Sequence, residues 1–276
     1  MRQSEFSSVM NSDTASKTFE QLKAEGYNST DGNLNERDGY NCPFCRNKGK
    51  TLELEIRDGT EKAIFKECQC IPIRNSIIRM QRSGRADVIG KLTFQSFVVE
   101  NEFQQKLKNA AQDYVKSGTG WFFMGGQPGC GKSHIGTAIF REFLLSGKSA
   151  QYMAWREDAT RIKSLVTEAD KYRGEISLYK SADVLYIDDL FKTGRAIDGQ
   201  PQRPSAADIS LAFEILNYRY NHPKQITIIS TESSIQELLS IDEGIASRIA
   251  EKSKPYLFNI SRDQSKNYRL RGIITL

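Results

Sequence analysis

The chain has 276 residues, of which 38% are hydrophobic and 26% charged, and its formal net charge is +5. This composition suits one large domain, or one domain of about 180 residues beside a smaller one, and the mildly basic charge permits nucleic acid as a partner without requiring it. No apolar run approaches the ~20 residues of a membrane span, and the N-terminus lacks the apolar core of a signal peptide, so we expect a cytoplasmic protein with no membrane partner.

Residues 1–40 form a polar N-terminal segment. Within it, Lys17 to Gly26 carries Phe19 and Leu22 at helical spacing, which predicts a short helix. The residues after this helix are rich in Asn, Asp and Gly, which is typical of a loop. Two interpretations of the segment stay open, a flexible tail and a docking segment.

Residues 41–71 contain two cysteine pairs, C-x-x-C and C-x-C, on either side of alternating apolar residues and an Asp58-Gly59 turn. This pattern predicts a β-hairpin with the thiols at its open end, as in a structural zinc ribbon with tetrahedral coordination. The alternatives are a reduced cluster without metal and a redox C-x-x-C, although a redox motif usually precedes a helix of a βαβ unit. The expected zinc ligands are Cys42, Cys45, Cys68 and Cys70.

Residues 72–91 are basic and carry isoleucines at helical spacing, which predicts a linker helix. Its cationic side chains either contact nucleic acid or form a solvated face. They are Arg74, Arg79, Arg82, Arg85 and Lys91.

Residues 92–276 begin with a predicted amphipathic helix from Glu102 and then reach a glycine-rich loop, Gly126 to Ser133. The loop has the spacing G-x-x-x-x-G-K-S of the phosphate-binding motif Walker A, with an apolar strand before it and a helical pattern after it. Backbone N–H groups of such a loop hold phosphate oxygens of ATP, while its lysine reaches the β- and γ-phosphates and its serine binds Mg²⁺. The alternative is a glycine turn before a buried helix. The predicted nucleotide contacts are Gly126, Gln127, Pro128, Gly129, Cys130, Gly131, Lys132, Ser133 and His134.

A second strand, residues 150–155, precedes a predicted helix from Glu157 to about Tyr179. Basic residues interleaved with a tyrosine suit single-stranded nucleic acid, which they would bind through phosphate contacts and stacking. A solvated helical face is the alternative. The residues concerned are Arg161, Lys163, Lys171, Tyr172 and Arg173.

The third strand ends in two carboxylates, Asp188 and Asp189, which is the Walker B pattern. Asp188 would hold Mg²⁺ through water, and Asp189 would orient and deprotonate the attacking water. A strand that ends in an acidic turn is the alternative. Thr231 and Glu232 follow the fourth strand, residues 225–230, where a polar side chain could sense the γ-phosphate or position water.

A fifth strand is predicted at residues 256–260. Strands that alternate with helices favour an α/β fold, in which a five-stranded parallel sheet carries helices on both faces. The predicted organisation is therefore a polar segment, a zinc module, a basic linker helix and one large α/β domain.

The order of Walker A, IDDL, FEILNYRY, IISTE, ASRI and NYRL resembles the DnaC/DnaI family of bacterial helicase loaders. The preceding CPFC and CQC pairs resemble the zinc-bearing members found in phages and Gram-positive bacteria. The resemblance implies an AAA+ P-loop ATPase that uses ATP and Mg²⁺ to place a hexameric replicative helicase on single-stranded DNA at replication initiation. Asp189 departs from the Asp-Glu pair of many AAA+ proteins, and because Asp is one methylene shorter than Glu it should hold the attacking water less well, so we expect slow hydrolysis by the protein alone. The related IstB branch implies a second function, a transposition ATPase on duplex DNA. A non-catalytic adaptor is a third interpretation.

The resemblance also implies roles for single residues. Arg248 matches an arginine finger that reaches the γ-phosphate in a neighbouring subunit, so ATP-dependent self-association is expected. Arg269 matches a second sensor arginine. Thr231 and Glu232 stand where the family carries its first sensor, usually Asn, and either of them could take that role. Helicase docking is expected on the zinc module.

Overall fold

The computed structural model describes residues 17–82, 90–193, 203–263 and 266–268. The chain forms two compact units that divide between Arg74 and Asn75. None of the described helices combines the length and apolar character of a membrane span. The predicted boundary between zinc module and linker, after residue 71, falls inside a helix.

The first unit is built around a two-stranded antiparallel hairpin. The predicted turn is present, since Asp58 and Gly59 have φ values of +53° and +72° and join the two strands directly. The elements are α1 (Phe19–Ser29), α2 (Leu34–Asp38), β1 (Lys50–Arg57), β2 (Thr60–Glu67) and the start of α3 (Cys70–Arg82).

Helix α1 runs three residues beyond the predicted Gly26, into the segment predicted as a loop. Thr18 and Gln21 form a capping box at its start. Its last turn is held by the hairpin, because Asn28 exchanges two hydrogen bonds with the backbone of Leu52 and Tyr27 packs edge-on against Phe65 with ring centroids 5.0 Å apart. Tertiary contacts therefore extend a helix that local sequence does not favour.

The second unit is a parallel sheet with the strand order β4-β5-β6-β3-β7, which confirms the predicted α/β fold. Its elements are α4 (Glu102–Ser117), β3 (Trp121–Gly126), α5 (Lys132–Leu145), β4 (Ala150–Ala154), α6 (Trp155–Ser164), α7 (Ala169–Ser181), β5 (Val184–Asp188), α8 (Ala206–Tyr220), β6 (Ile226–Ser230), α9 (Ile235–Ile241), α10 (Glu243–Lys252) and β7 (Leu257–Ile260).

The strand order decides which side chains meet at the carboxyl edge of the sheet. Strand β6 lies between β5 and β3, so Ser230 pairs with Met124 on one side while Ile229 pairs with Ile187 on the other. The last residue of β6 is therefore placed between the Walker B carboxylates and the Walker A loop. Ligands of open α/β sheets bind at this edge.

The single long helix predicted from Glu157 to about Tyr179 is instead two helices, α6 and α7. The break lets Ile162 and Ile176 enter the same apolar core, where both are buried. On one straight helix these residues would lie about 21 Å apart at 1.5 Å per residue. The turn between α6 and α7 brings both side chains into one core.

Candidate functional site

The Walker A loop lies very close to other segments of the same chain. A Cβ atom at Gly126, where φ is +109°, would lie 2.2 Å from the carbonyl oxygen of Ile260. A Cβ at Gly131, where φ is +94°, would lie 2.8 Å from the ring of Phe97. Both positions require glycine for conformation and for space. The loop thus presents backbone, and the first N–H groups of α5 have no acceptor within their own helix.

Lys132 is the buried cation of this loop. Its Nζ donates hydrogen bonds to the carbonyl oxygens of Gly126, at 2.8 Å, and Gln127, at 2.5 Å. Burial lowers the pKa of Lys132, because the charged ammonium loses hydration. A polyanion bound to the loop would restore favourable charge interactions, so the site suits phosphate.

Asp188 lies opposite the loop and accepts hydrogen bonds from four hydroxyl groups. Ser133 Oγ donates to Asp188 Oδ1 at 3.0 Å, so the predicted Mg²⁺ pair is brought together. Tyr186 and Ser230 donate to the same oxygen at 2.8 and 2.5 Å, and Tyr152 donates to Oδ2 at 2.6 Å. The sequence analysis missed these three donors. A signal for Tyr186 was available, since it stands two residues before Asp188 on one strand face.

Asp189 has a different environment. It adopts a left-handed backbone with φ +59°, and its N–H donates to Ser230 Oγ at 3.1 Å. Lys192 Nζ lies 2.8 Å from Asp189 Oδ2 and 3.0 Å from Glu232 Oε1. Burial raises the pKa of Asp189, while the hydrogen bond from Lys192 opposes that rise. Lys192, which the sequence analysis did not single out, therefore holds two carboxylates at the cavity.

The two candidate sensors are placed differently. Thr231 is fully buried, and its hydroxyl donates to the Leu190 carbonyl at 2.8 Å and accepts the Ser233 N–H at 3.1 Å. Glu232 lines the cavity. Of the two, Glu232 is the one positioned to contact a ligand, and the sensor role itself stays a prediction.

A cavity of about 310 Å³ opens beside these groups, at the small end of ligand pockets. An aromatic wall closes one side of it. The Phe97 ring lies 5.1 Å from that of His134 and 5.9 Å from that of Tyr268. The lining residues are Ser96, Phe97, Val98, Pro128, Gly129, Gly131, Lys132, Ser133, His134, Asp189, Lys192, Glu232 and Tyr268. Polar phosphate-binding groups on one side and aromatic rings on the other suit a nucleotide. Gln127 and Cys130 hold the loop instead, through hydrogen bonds to Asp263 and Gln127.

Arg248 does not line this cavity. It lies on α10, where its guanidinium stacks over the rings of Phe213 and Tyr220 and donates to the Gly244 carbonyl at 2.8 Å. Arg269 lies outside the described residues. The roles of both arginines stay predictions.

The side chains predicted to contact nucleic acid on α6 and α7 have partners within the chain. Arg161 pairs with Glu175 at 2.6 Å and Asp158 at 3.1 Å. Lys163 pairs with Asp208, and Tyr172 donates to Glu214. The exposed pairs are Lys171–Glu168 and Arg173–Asp170. Lys171 and Arg173 are thus the more available of these cations, and DNA contact stays a prediction.

The four cysteines of the first unit lie together. The Sγ atoms of Cys42 and Cys68 are 3.7 Å apart and those of Cys45 and Cys70 are 3.6 Å apart, and all four lie within 4.8 Å of one another. A tetrahedron of Zn–S bonds of 2.3 Å has sulfur atoms about 3.8 Å apart. Burial raises the pKa of Cys68 and Cys70, whereas for Cys45 hydrogen bonds from the Gly49 amide and the neighbouring thiols outweigh burial and lower the pKa to about 7. The donor set and spacing therefore fit a tetrahedral metal ion.

Arg74 belongs to this cluster and not to a free basic face. It is buried on α3, where its Nη1 lies 2.6 and 2.8 Å from the two carboxylate oxygens of Asp38 and its Nε lies 3.4 Å from Cys70 Sγ. Its Nη2 donates to Asn47 Oδ1, which also accepts the Cys42 N–H. Both predicted roles, nucleic-acid contact and a solvated face, are thus wrong for Arg74, because its guanidinium is paired with Asp38 inside the first unit.

Comparisons with known proteins are consistent with a phosphate-binding site. Residues 122–254 match the family model "ATPase family associated with various cellular activities (AAA)". The chain is 32% identical to the protein YqaM of Bacillus subtilis over 289 aligned residues, covering 85% of this chain and 87% of that protein. It is 31% identical to the replicative helicase loader DnaC of Escherichia coli over 129 residues, covering 42% of this chain and 51% of that one.

A crystal structure of the DnaC helicase loader shares the fold, with a TM-score of 0.51 at 24% identity over 60% of this chain and 96% of that one. The similarities to known proteins are thus consistent with the Walker A loop, the paired carboxylates and the strand order of this chain. The chain therefore belongs to one family with YqaM, and its residues 122–254 form an AAA ATPase domain that is similar to the replicative helicase loader DnaC.

Proposed function

We propose that this protein is an ATP-dependent loader that delivers a hexameric replicative DNA helicase onto single-stranded DNA. The observation that carries the proposal is the meeting of Lys132, Ser133 and Asp188 at the carboxyl edge of the sheet, in a chain related to replicative helicase loaders. These residues fit ATP and Mg²⁺, with Ser133 and Asp188 as the groups that would hold the ion. The ion would neutralise charge on the phosphates.

Different residues of the chain would carry out phosphate binding and proton transfer during hydrolysis. The Walker A amides and Lys132 bind the phosphates, and Asp189 accepts the proton of the attacking water. Lys192 forms an ion pair with Oδ2 of Asp189, and this hydrogen bond lowers the pKa of the carboxyl group, so it weakens Asp189 as a proton acceptor. A weaker base is consistent with slow turnover of the protein alone.

ATP binding would also bring subunits together. Arg248 lies away from the cavity of its own chain, as a residue that completes a neighbour's site must. Its stacking on Phe213 and Tyr220 and its bond to Gly244 hold the guanidinium in one place on α10. ATP bound to one subunit would then contact Arg248 of its neighbour and hold the two subunits together, and hydrolysis would release them.

The cysteine unit is the part that would dock the helicase. We assign zinc to its four thiolates, with a structural role that stabilises the hairpin. Large apolar side chains are exposed on this unit: Phe19 (77% exposed), Leu22 (56%), Ile56 (80%) and Phe65 (56%). A patch formed by such side chains would suit a protein partner.

The test is helicase loading in a purified system, with a bacterial replicative helicase and a single-stranded DNA circle. We expect wild-type protein to stimulate unwinding in the presence of ATP, and Lys132→Ala to abolish both nucleotide binding and stimulation. Asp189→Asn should bind ATP but lose hydrolysis by a factor of about 100 or more, the usual contribution of a general base. Lys106→Ala, which removes an exposed lysine of α4, is the matched control and should behave as wild type.

Two other outcomes point to the alternative functions. Preference for duplex DNA without helicase contact would indicate an IstB-like transposition ATPase. Helicase binding without any hydrolysis, even with DNA and helicase present, would indicate a non-catalytic adaptor. Either result would remove the loader proposal.

A further inference from the structure

Asp188 accepts hydrogen bonds from hydroxyl groups on four elements of the second unit. Ser133 comes from α5, Tyr152 from β4, Tyr186 from β5 and Ser230 from β6. Among the described residues, Asp188 has no ion pair, whereas Asp189 beside it is paired with Lys192. The adjacent carboxylates therefore differ in their partners, since Lys192 forms an ion pair with Asp189 whereas neutral hydroxyl groups donate hydrogen bonds to Asp188.

Packing fixes both tyrosine hydroxyls in place. Tyr186 is fully buried, and a Cβ atom at Gly136 would lie 2.5 Å from its hydroxyl oxygen, so α5 approaches the ring as closely as glycine permits. The rings of Tyr152 and Tyr186 meet edge to face with centroids 5.0 Å apart, and Phe140 packs against Tyr152 at 5.9 Å. Rings locked in this way can aim their hydroxyls without cost at the moment of ligand binding.

Hydroxyl donors orient a carboxylate without cancelling its charge. A lysine or arginine in their place would fix Asp188 equally well but would compete with a divalent cation for its negative charge. Outer groups that orient metal-binding carboxylates commonly change metal affinity by about 10- to 100-fold when removed. The hydroxyl groups around Asp188 have the properties of groups that orient a metal-binding carboxylate.

We propose that Tyr152 and Tyr186 are positioning residues for the magnesium carboxylate Asp188, holding it in place while leaving its charge available to the ion. The proposal rests on the proposed nucleotide function of the same cavity. Tyr152 acts from β4 and Tyr186 from β5, so two strands of the sheet set the orientation of one side chain.

The experiment measures the binding of a fluorescent ADP analogue as Mg²⁺ is titrated, and again in EDTA. In Tyr152→Phe and Tyr186→Phe, the Mg²⁺ concentration for half-maximal enhancement of binding should rise about tenfold or more, while binding in EDTA stays within about twofold of wild type. Tyr114→Phe is the matched control, because Tyr114 is also fully buried in this unit but its hydroxyl bonds the Gly120 carbonyl at 2.8 Å. It should lose stability without changing the Mg²⁺ requirement.

Each other outcome overturns a distinct claim. An unchanged Mg²⁺ requirement in Tyr152→Phe and Tyr186→Phe, beside a Mg²⁺-dependent wild type, would leave the nucleotide site intact and refute the positioning role. An equal loss of affinity with Mg²⁺ and in EDTA would show that the tyrosines shape the loop and not the ion site. A wild type that binds no nucleotide would overturn the proposed function and this inference together. If Tyr186→Phe does not fold, the half-buried Tyr152 decides alone.

Discussion

The cysteine cluster and the cavity beside the Walker A loop both contain groups suited to holding a cation, but they are assembled over very different lengths of chain. The cluster takes its ligands from the two ends of one hairpin and is closed, with all four thiols buried. The cavity takes its groups from several strand ends and helices of the second unit and is lined on one side by aromatic rings. A closed site suits a structural ion, whereas an accessible cavity suits exchange of a ligand. Loss of a ligand group should therefore damage folding in the first unit and function in the second.

The largest effect is expected from breaking the closed site. Cys68→Ser should abolish the single zinc ion that we expect per chain and unfold the hairpin, because a structural zinc ion contributes ~10 kcal/mol or more to the folding of small domains. Metal analysis and hydrogen exchange of residues 50–67 provide the measurement. Cys130→Ser, which alters the remaining cysteine in the Walker A loop, should keep the zinc ion. A folded wild-type protein without metal would refute the prediction.

Arg74→Ala tests whether the buried cation belongs to the closed site. It leaves the Asp38 carboxylate buried and unpaired, which costs about 3–5 kcal/mol for a buried pair, and it should weaken zinc affinity by about 10- to 100-fold. Competition with a zinc chelator and denaturant unfolding measure the two effects. Arg46→Ala breaks the exposed Arg46–Asp31 pair and should leave both the zinc affinity and the stability close to those of wild type, because exposed pairs are screened by water. Equal effects of the two substitutions would remove Arg74 from the metal site.

Lys192→Ala tests the ion pair between Lys192 and Asp189 at the cavity beside the Walker A loop. Freed of the ion pair, Asp189 should accept a proton more readily, and basal ATP hydrolysis should rise about two- to fivefold, in keeping with the ~0.5–1 kcal/mol of a partly exposed pair. Steady-state turnover at saturating ATP is the measurement, and Lys106→Ala again serves as control. A fall in turnover would instead place Lys192 on the phosphates.

The smallest effect is expected on the surface of α7. Arg173 is 75% exposed and only weakly paired, so Arg173→Ala should weaken single-stranded DNA binding a few-fold at low salt and reduce the slope of log K against log[salt] by about 0.7. Arg161→Ala additionally breaks two ion pairs, so its effect on stability must be measured beside its effect on DNA. Fluorescence anisotropy over a salt series tests both. A slope equal to that of wild type for Arg173→Ala would exclude a phosphate contact.

Much of the local structure followed from short stretches of sequence. The hairpin and the strand–loop–helix around Walker A were predictable because alternation of apolar residues and glycine spacing act over a few residues. The cysteine pairs could be joined into one site because a single hairpin brings its two ends together. These features need no knowledge of distant contacts.

The remaining features depend on where distant segments meet. Ser230 and Tyr152 reach Asp188 only because β6 and β4 flank β5, an order that chain connectivity does not specify. The break between α6 and α7 and the burial of Arg74 likewise arise from packing that local propensity cannot report.

The sequence by itself therefore determined which chemical groups this protein carries and the loops that present them, since those depend on neighbouring residues. The tertiary structure decided which carboxylate is caged by hydroxyls and which is paired with lysine. Hydrogen bonds and ion pairs form between groups a few ångströms apart in space, however far apart they lie along the chain.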